Sequence, residues 1–410
     1  MKSYSSTTRG DYKTFQSKID IDDFEYCYQR IGIARNAVEK PAEHALGKWF
    51  NVKSYAEDGQ TENNLLEDKI WEFNQTHHLK DRLLEADIYA RIYGLGLVFL
   101  GLIDAVEDLA QPPVNPLGVE YITAISRREI KDIHYVEDPT DPHYGDIETY
   151  EIKIATKKGG ITDTKLVHRD RCLHVMERTL KKSPWGLSVL EPAYDNLQIL
   201  KNVMWSTGEA HYKNATPIYV MSEVPLEGFK GNPSTTELDN IETILKNLNA
   251  TSYLINPKRW KFEAISGSGR MIPLDTMLDP LLSHLAGDLQ VPKQILLGTE
   301  AGALASGQVN LAEYYGDIAS KQQNFFTPLL TDLYRRLQNW HILPPGAFDL
   351  EWLPLYELDE NAETDIMFKK AQTASILSGD PATGRSAIAT VEEIRKHILG
   401  FNPEMGKGVD

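Results

Sequence analysis

The chain has 410 residues, a length that sets a prior of two to three structural units. Hydrophobic residues make up 41% and charged residues 25%, with 28 glycines and 21 prolines; this ordinary globular usage excludes collagen-like, low-complexity and wholly disordered chains. The 43 Lys plus Arg stand against 59 Asp plus Glu, a formal charge of -16, the wrong sign for a protein that grips nucleic acid through a broad phosphate-binding face.

In chain order, residues 1–20 read as a polar lead without an apolar signal core. Phe24, Tyr28, Ile31, Ala34 and Val38, spaced by three and four, predict a helix over 22–43. A second helix over 65–91 follows from Leu66, Ile70, Phe73, Leu79, Leu83, Leu84 and Ile88, and ends at the Gly94-Leu95-Gly96 turn. The period then changes. Short β-rich runs at 97–100, 122–125, 133–136, 150–154 and 173–175, separated by Pro, Gly and Asp clusters, predict a small antiparallel sheet or barrel. The most apolar stretch, 92–103, is too short to cross a bilayer, so no membrane partner is expected and the chain reads as soluble and made in the cytoplasm.

Ser188 and Glu191 have capping-box spacing and open a helix over 188–214. A strand at 217–221, a helix behind the Ser234 and Glu237 capping box, and strands at 252–255 and 260–265 make a compact α/β insert. The next helix, 276–289, stops near Val291-Pro292 and leads into a Gly/Ala-rich loop at 298–308. From 309 to 342 comes the strongest helical period of the chain, with a kink expected at Pro328. A strand at 348–353 and short helices at 360–377 and 391–399 close it.

Candidate chemistry is sparse. Gly302 and Gly307 have phosphate-loop spacing, but Gln308 and Val309 follow where that chemistry needs Lys and then Ser or Thr, so a mobile loop is the better reading. His77 and His78 are adjacent and would point about 100° apart in a helix, while His168 and His174 have no second pair of metal ligands nearby. Asp138, Asp141 and Asp146, interleaved with Pro139, Pro142 and Gly145, read as a turn rather than a calcium loop. Cys27 and Cys172 are too few for a disulfide framework and point to a reducing compartment. No metal or cofactor site is read from these residues, and a Ser-His-Asp or Cys-His arrangement cannot be recognised without a fold to bring its members together.

Four stretches carry a resemblance. They are Tyr28-Gln29-Arg30-Ile31-Gly32-Ile33-Ala34-Arg35-Asn36-Ala37-Val38-Glu39-Lys40-Pro41-Ala42 with Gly47-Lys48-Trp49; 85–98, containing Tyr93-Gly94-Leu95-Gly96; Val167-His168-Arg169-Asp170-Arg171 with Trp185-Gly186-Leu187-Ser188-Val189-Leu190-Glu191-Pro192; and Val291-Pro292-Lys293-Gln294-Ile295-Leu296-Leu297-Gly298 through Gly307, followed by Tyr314-Tyr315 and Gln322-Gln323. In this order they resemble the portal proteins of tailed double-stranded DNA viruses. Arg169-Asp170 departs from the family's small residues, and the region beyond Asp359 is short for a full crown.

The resemblance implies an α+β portal fold: a wing over 1–187, stem helix 188–214, clip 216–272, second stem helix 275–297, tunnel loop 298–308, long wing helix and strand 309–358, and a short crown over 359–410. It implies a homo-oligomeric ring, most simply a dodecamer, at one capsid vertex of the virion, assembled in the host cytoplasm. Its partners would be the major capsid protein, the terminase large subunit, a head-tail adaptor, and double-stranded DNA passing without sequence specificity during packaging and ejection. Thr299, Glu300, Ala301, Gly302, Ala303, Leu304, Ala305, Ser306 and Gly307 would face the DNA channel. The chain would not be an enzyme. Three other readings stand beside this one: another head-tail connector or minor capsid protein, a metal-dependent nuclease, and a cytosolic enzyme with a Gly-rich loop.

Overall fold

Helix α1 (Ile21–Arg30) starts where Asp20 and Asp23 form a capping box. In the computed structural model, which describes residues 19–55, 64–106, 108–155, 161–180, 183–215, 218–223, 260–265, 274–298 and 305–355, the backbone turns extended at Ile31. The single helix expected over 22–43 is therefore two, α1 and α2 (Gly32–Gly47). β1 (Phe50–Tyr55) follows, then α3 (Asn64–Thr76) and α4 (Leu79–Tyr93). These last two replace the one helix expected over 65–91, because His78 between them adopts a left-handed φ of 50°.

The β-rich region contains β2 (Gly96–Ile103), β3 (Gly118–Ser126), β4 (Ile130–Tyr135), β5 (Ile147–Ala155), β6 (Ile161–His168) and β7 (Cys172–Val175). They pair antiparallel in the orders β3-β2-β7 and β4-β5-β6, two open three-stranded sheets rather than a closed barrel among the described residues. The aspartates between β4 and β5 do make turns: Asp138 Oδ1 accepts the Thr140 N–H at 2.8 Å, and Asp141 Oδ1 the His143 N–H at 2.8 Å. β2 is buried on both faces, and its side chains alternate between two cores. Val98 and Leu100 join the large helical core, whereas Leu97 and Phe99 join a smaller one with Ile133, Tyr150 and Ile152.

α5 (Tyr194–Ala215) begins later than the expected 188. Ser188 does not cap it in the expected box: its hydroxyl accepts the Leu190 N–H at 3.2 Å and donates to the Arg91 carbonyl at 3.3 Å, and 189–193 runs as successive turns. Pro192 within that stretch has no N–H to continue a helical ladder. β8 (Ile218–Glu223) pairs antiparallel with β9 (Trp260–Ile265), Ile218 opposite Ile265; the helix expected behind Ser234 and the strand at 252–255 lie outside the described residues. The second stem helix expected over 275–297 is broken. It is α6 (Leu274–Leu289), an elbow at Gln290 with φ 55°, and the short α7 (Lys293–Leu297).

The long helix expected over 309–342 starts earlier, as α8 (Ala305–Lys321), and continues through a π turn at Gln322–Phe326 into α9 (Thr327–Asn339). The irregularity expected at Pro328 takes the form of that wide turn. Proline has no N–H for the carbonyl four residues earlier, and the Thr327 N–H bonds the Gln322 carbonyl instead, joined by the Thr327 hydroxyl at 2.9 Å. β10 (Ala347–Trp352) then returns to pair antiparallel with β1, Phe50 opposite Trp352. Phe326, Leu330, Leu333, Tyr334 and Leu337 are fully buried beneath this pair; each such side chain is worth about 1.5–3 kcal/mol of transfer free energy. The expected crown over 359–410 lies outside the described residues.

Candidate functional site at the junction of four sequence stretches

The four stretches singled out in the sequence meet around the C-terminal end of α4. Pro41, inside α2, has no N–H, so the Ala37 carbonyl loses its helical partner. Arg91 supplies one. Its Nη2 donates to the Ala37 carbonyl at 2.9 Å, Nε to the Val38 carbonyl at 2.9 Å, and Nη1 to both Glu177 carboxylate oxygens at 3.1 and 3.0 Å. The last carbonyls of α4 are also taken up. The Gly94 N–H bonds the Ala90 carbonyl at 2.7 Å, the Val189 N–H the Arg91 carbonyl at 3.0 Å, and Arg127 Nη1 the Tyr93 carbonyl at 2.7 Å.

Two glycines make this approach possible. A Cβ on Gly94, whose φ is 88°, would lie 2.1 Å from the Gly186 carbonyl oxygen, and a Cβ on Gly186 would lie 2.1 Å from the Gly94 carbonyl oxygen. Backbone therefore touches backbone between the second and third stretches. Arg127 covers the contact with its guanidinium 4.9 Å from the Trp185 ring centroid. The fourth stretch is tied to the first. Asn36 Nδ2 donates to the Leu296 carbonyl at 2.8 Å, Gln322 Nε2 to the Ala45 carbonyl at 2.7 Å, and His44 Nδ1 lies 3.0 Å from the Tyr314 hydroxyl.

At the centre lies an ionic cluster of balanced charge. Lys321 bonds Asp87 Oδ2 at 2.7 Å and also bonds Glu177, which Arg91 holds from the other side. Asp87 is fully buried, and its Oδ1 has no hydrogen-bond partner among the described residues. Burial pushes its carboxyl up to about 6 against the pull of Lys321. Burial would raise Glu177 too, but Lys321 and Arg91 beside it outweigh that and hold it well below the usual carboxylate range. A cleft of 990 Å³ opens alongside, lined by Pro41, Arg91, Glu177, the elbow around Gln290, and Tyr314 and Lys321 of α8.

This arrangement ties α2, α4, α8 and the segment around Glu177 to one another through ion pairs and backbone carbonyls. His77 packs at a tilt of 51° against Phe73 with centroids 4.7 Å apart, and His174, pushed down to about 4 by burial, faces the Tyr150 hydroxyl at 3.0 Å. No group of three or more His, Cys, Asp or Glu suited to a metal ion occurs among the described residues, and none of their helices is long and apolar enough to cross a membrane. Of the residues expected to face a channel, Ala305, Ser306 and Gly307 form the first turn of α8, while Thr299, Glu300, Ala301, Gly302, Ala303 and Leu304 lie outside the described residues. Sequence reasoning missed Arg91, Glu177 and Lys321. The one local signal was Pro41 within a helical pattern, which leaves a carbonyl in need of a donor.

The family model for phage portal proteins matches residues 23–376. The chain belongs to the phage portal protein family. This portal chain is 23% identical over 411 residues to a protein of Sphingomonas paeninsulae named Anti-CBASS protein Acb1, covering 95% of this chain and 61% of that one. A protein of the same name from a Caulobacter strain is 22% identical over 318 residues, 71% of this chain and 48% of that one, so the portal chain spans roughly half of these two relatives. Among solved structures it is similar to a chain of the virion of the native gene transfer agent particle, with TM-score 0.55, 13% identity and 95% of both chains covered. It is also similar to a chain of the neck of that particle computed with C12 symmetry, with TM-score 0.52, 12% identity, and 93% and 94% covered. The fold is thus shared with these chains at low sequence identity.

Proposed function

We propose that the protein is a virion portal: a closed ring, most simply of twelve copies, at one capsid vertex, through which double-stranded DNA is packaged and ejected. The observation that carries the reading is family membership over 23–376, joined by the likeness to a neck chain of C12 symmetry. Surface chemistry supports assembly. Ile199, Met204 and Trp205 on α5 and Met277 on α6 are exposed in the single chain, whereas Leu285 and Leu289 on the apolar face of α6 are buried within it. The exposed apolar side chains of the two helices suit the surface of a head-to-tail neighbour.

On this reading 188–214 and 275–297 are stem, 216–272 is the clip that docks terminase, and the tunnel loop 298–308 lines the bore, with Glu300 its ionised residue. The capsid and the head-tail adaptor would hold the ring from outside. A ring of chains with charge -16 repels phosphate from all azimuths, which favours sliding over sticking. Chemical work would fall to the docked motor, not to this chain. Light scattering tests assembly: twelve copies of a 46.3 kDa chain come to about 556 kDa, and a clean monomer at micromolar concentration would overturn the reading.

A further inference from the structure

The pair of helices α5 and α6 separates two surfaces of opposite charge. Asn196 of α5 donates to Asp288 of α6 at 2.6 Å, which marks the sides on which the two helices face each other. At about 100° per residue, Lys201 and Trp205 lie roughly 140° and 180° round α5 from Asn196, away from α6. On α6, Ser283, Ala286 and Gly287 lie roughly 130° round the helix from the buried Leu285 and Leu289, and they line the 990 Å³ cleft.

The α5 flank carries a patch shared with α1. Tyr26, Met204 and Trp205 are exposed, and Lys201 Nζ bonds the Tyr26 hydroxyl at 2.5 Å while lying 4.7 Å from its ring centroid. Arg30, one turn after Tyr26 on α1, is exposed and forms no ion pair among the described residues. In the cleft on the other flank most charges are answered. Arg91 and Lys321 face Asp87 and Glu177, Lys293 faces Asp279, and Arg178 bonds the Gln290 side chain. Glu313 and Asp317, one turn apart on the α8 wall, are exposed and form no ion pair among the described residues.

We propose that this cleft receives the Tyr26, Arg30, Lys201 and Trp205 patch of a second copy of the chain, in a heterologous contact that repeats head to tail. The two unpaired carboxylates meet the two exposed cations, which fixes the register of the copies. Trp205 and Met204 enter beside Ser283, Ala286 and Gly287, whose small side chains leave room for large ones. Because patch and cleft lie on opposite flanks of the helix pair, each copy binds one neighbour through its patch and another through its cleft. The contact rests on the ring reading and adds to it the two faces that mate.

Charge reversal tests it. Arg30→Glu with Lys201→Glu makes the patch acidic, and Glu313→Lys with Asp317→Lys makes the α8 wall basic. All four side chains are exposed, so thermal unfolding followed by circular dichroism is expected to match wild type. Light scattering should find no rings of either variant by itself. Mixing the two should restore rings, because each then offers the other a complementary half on both flanks. Gly287→Arg is a second route: an added Cβ there meets nothing within 4 Å, so the side chain fills the cleft with the fold intact and should abolish rings. Wild-type rings from either reversed variant or from Gly287→Arg, or a mixture that stays unassembled, overturn the contact while wild-type rings keep the portal reading standing. A wild-type chain that forms no ring overturns both.

Discussion

Replacing Arg91 by Met keeps the aliphatic stem and removes four hydrogen bonds at once. The Arg91 and Glu177 side chains are 7% and 15% exposed, and breaking a pair buried to this degree costs about 3–5 kcal/mol. Lys321 still faces Glu177 and lessens that loss, whereas the Ala37 carbonyl, deprived of a helical partner by Pro41, is left bare at about 1–3 kcal/mol. A sum near 4–6 kcal/mol lowers the melting temperature by roughly 10–20 °C for a unit of this size. The origin of the carbonyl's need is testable by adding Pro41→Ala, which restores an N–H to Ala37. In that background Arg91→Met is expected to cost about 1–2 kcal/mol less. Thermal unfolding followed by circular dichroism on wild type, both single variants and the double variant reads the cycle. An Arg91→Met shift under about 3 °C, or the same shift in both backgrounds, would refute the reasoning.

Gly94→Ala and Gly186→Ala each place a methyl against the other glycine's carbonyl, so both are expected to abolish soluble protein, whereas Gly208→Ala on α5, which meets nothing within 4 Å, should leave yield unchanged. Asp87, held at about 6, keeps a proton in the folded chain between about pH 4 and 6 that the unfolded chain has released, so its contribution makes stability fall as pH rises through that window. Asp87→Asn should remove that fall in a melting series. Glu177 acts in the opposite sense: its contribution is present above about 4.5 and lost as pH falls, and Glu177→Gln should abolish that acid loss while costing more at neutral pH than Asp87→Asn. For the proposed bore, Glu300→Lys is expected to slow packaging by purified terminase most in dilute buffer, with ring assembly intact; wild-type rates at two salt concentrations would remove Glu300 from the channel.

Local period and turn chemistry made much of the fold legible. The runs at 97–100, 122–125, 150–154 and 173–175 are strands, the run at 133–136 is strand as far as Tyr135, and 260–265 is β9 with the expected bounds. Elements whose identity depends on distant partners were not legible. β1 is defined by pairing with β10, some 300 residues away, and β6, Ile-Thr-Asp-Thr-Lys-Leu-Val-His, pairs among the described strands with β5 alone and its sequence shows no alternating apolar pattern. Breaks were hidden where apolar spacing runs straight through a change of backbone, at Ile31, His78 and Gln290. The four stretches were readable as a set, but their meeting point was not. Arg91, Glu177 and Lys321 are separated by 86 and 144 residues and are ordinary surface types in isolation.

Electron micrographs of the purified protein, sorted into class averages, bear most directly on the portal account. Closed rings with a central opening and twelvefold order, or a neighbouring subunit number, are the expected result. Single compact particles of one 46.3 kDa chain, persisting at micromolar concentration and virion-like salt, would contradict it.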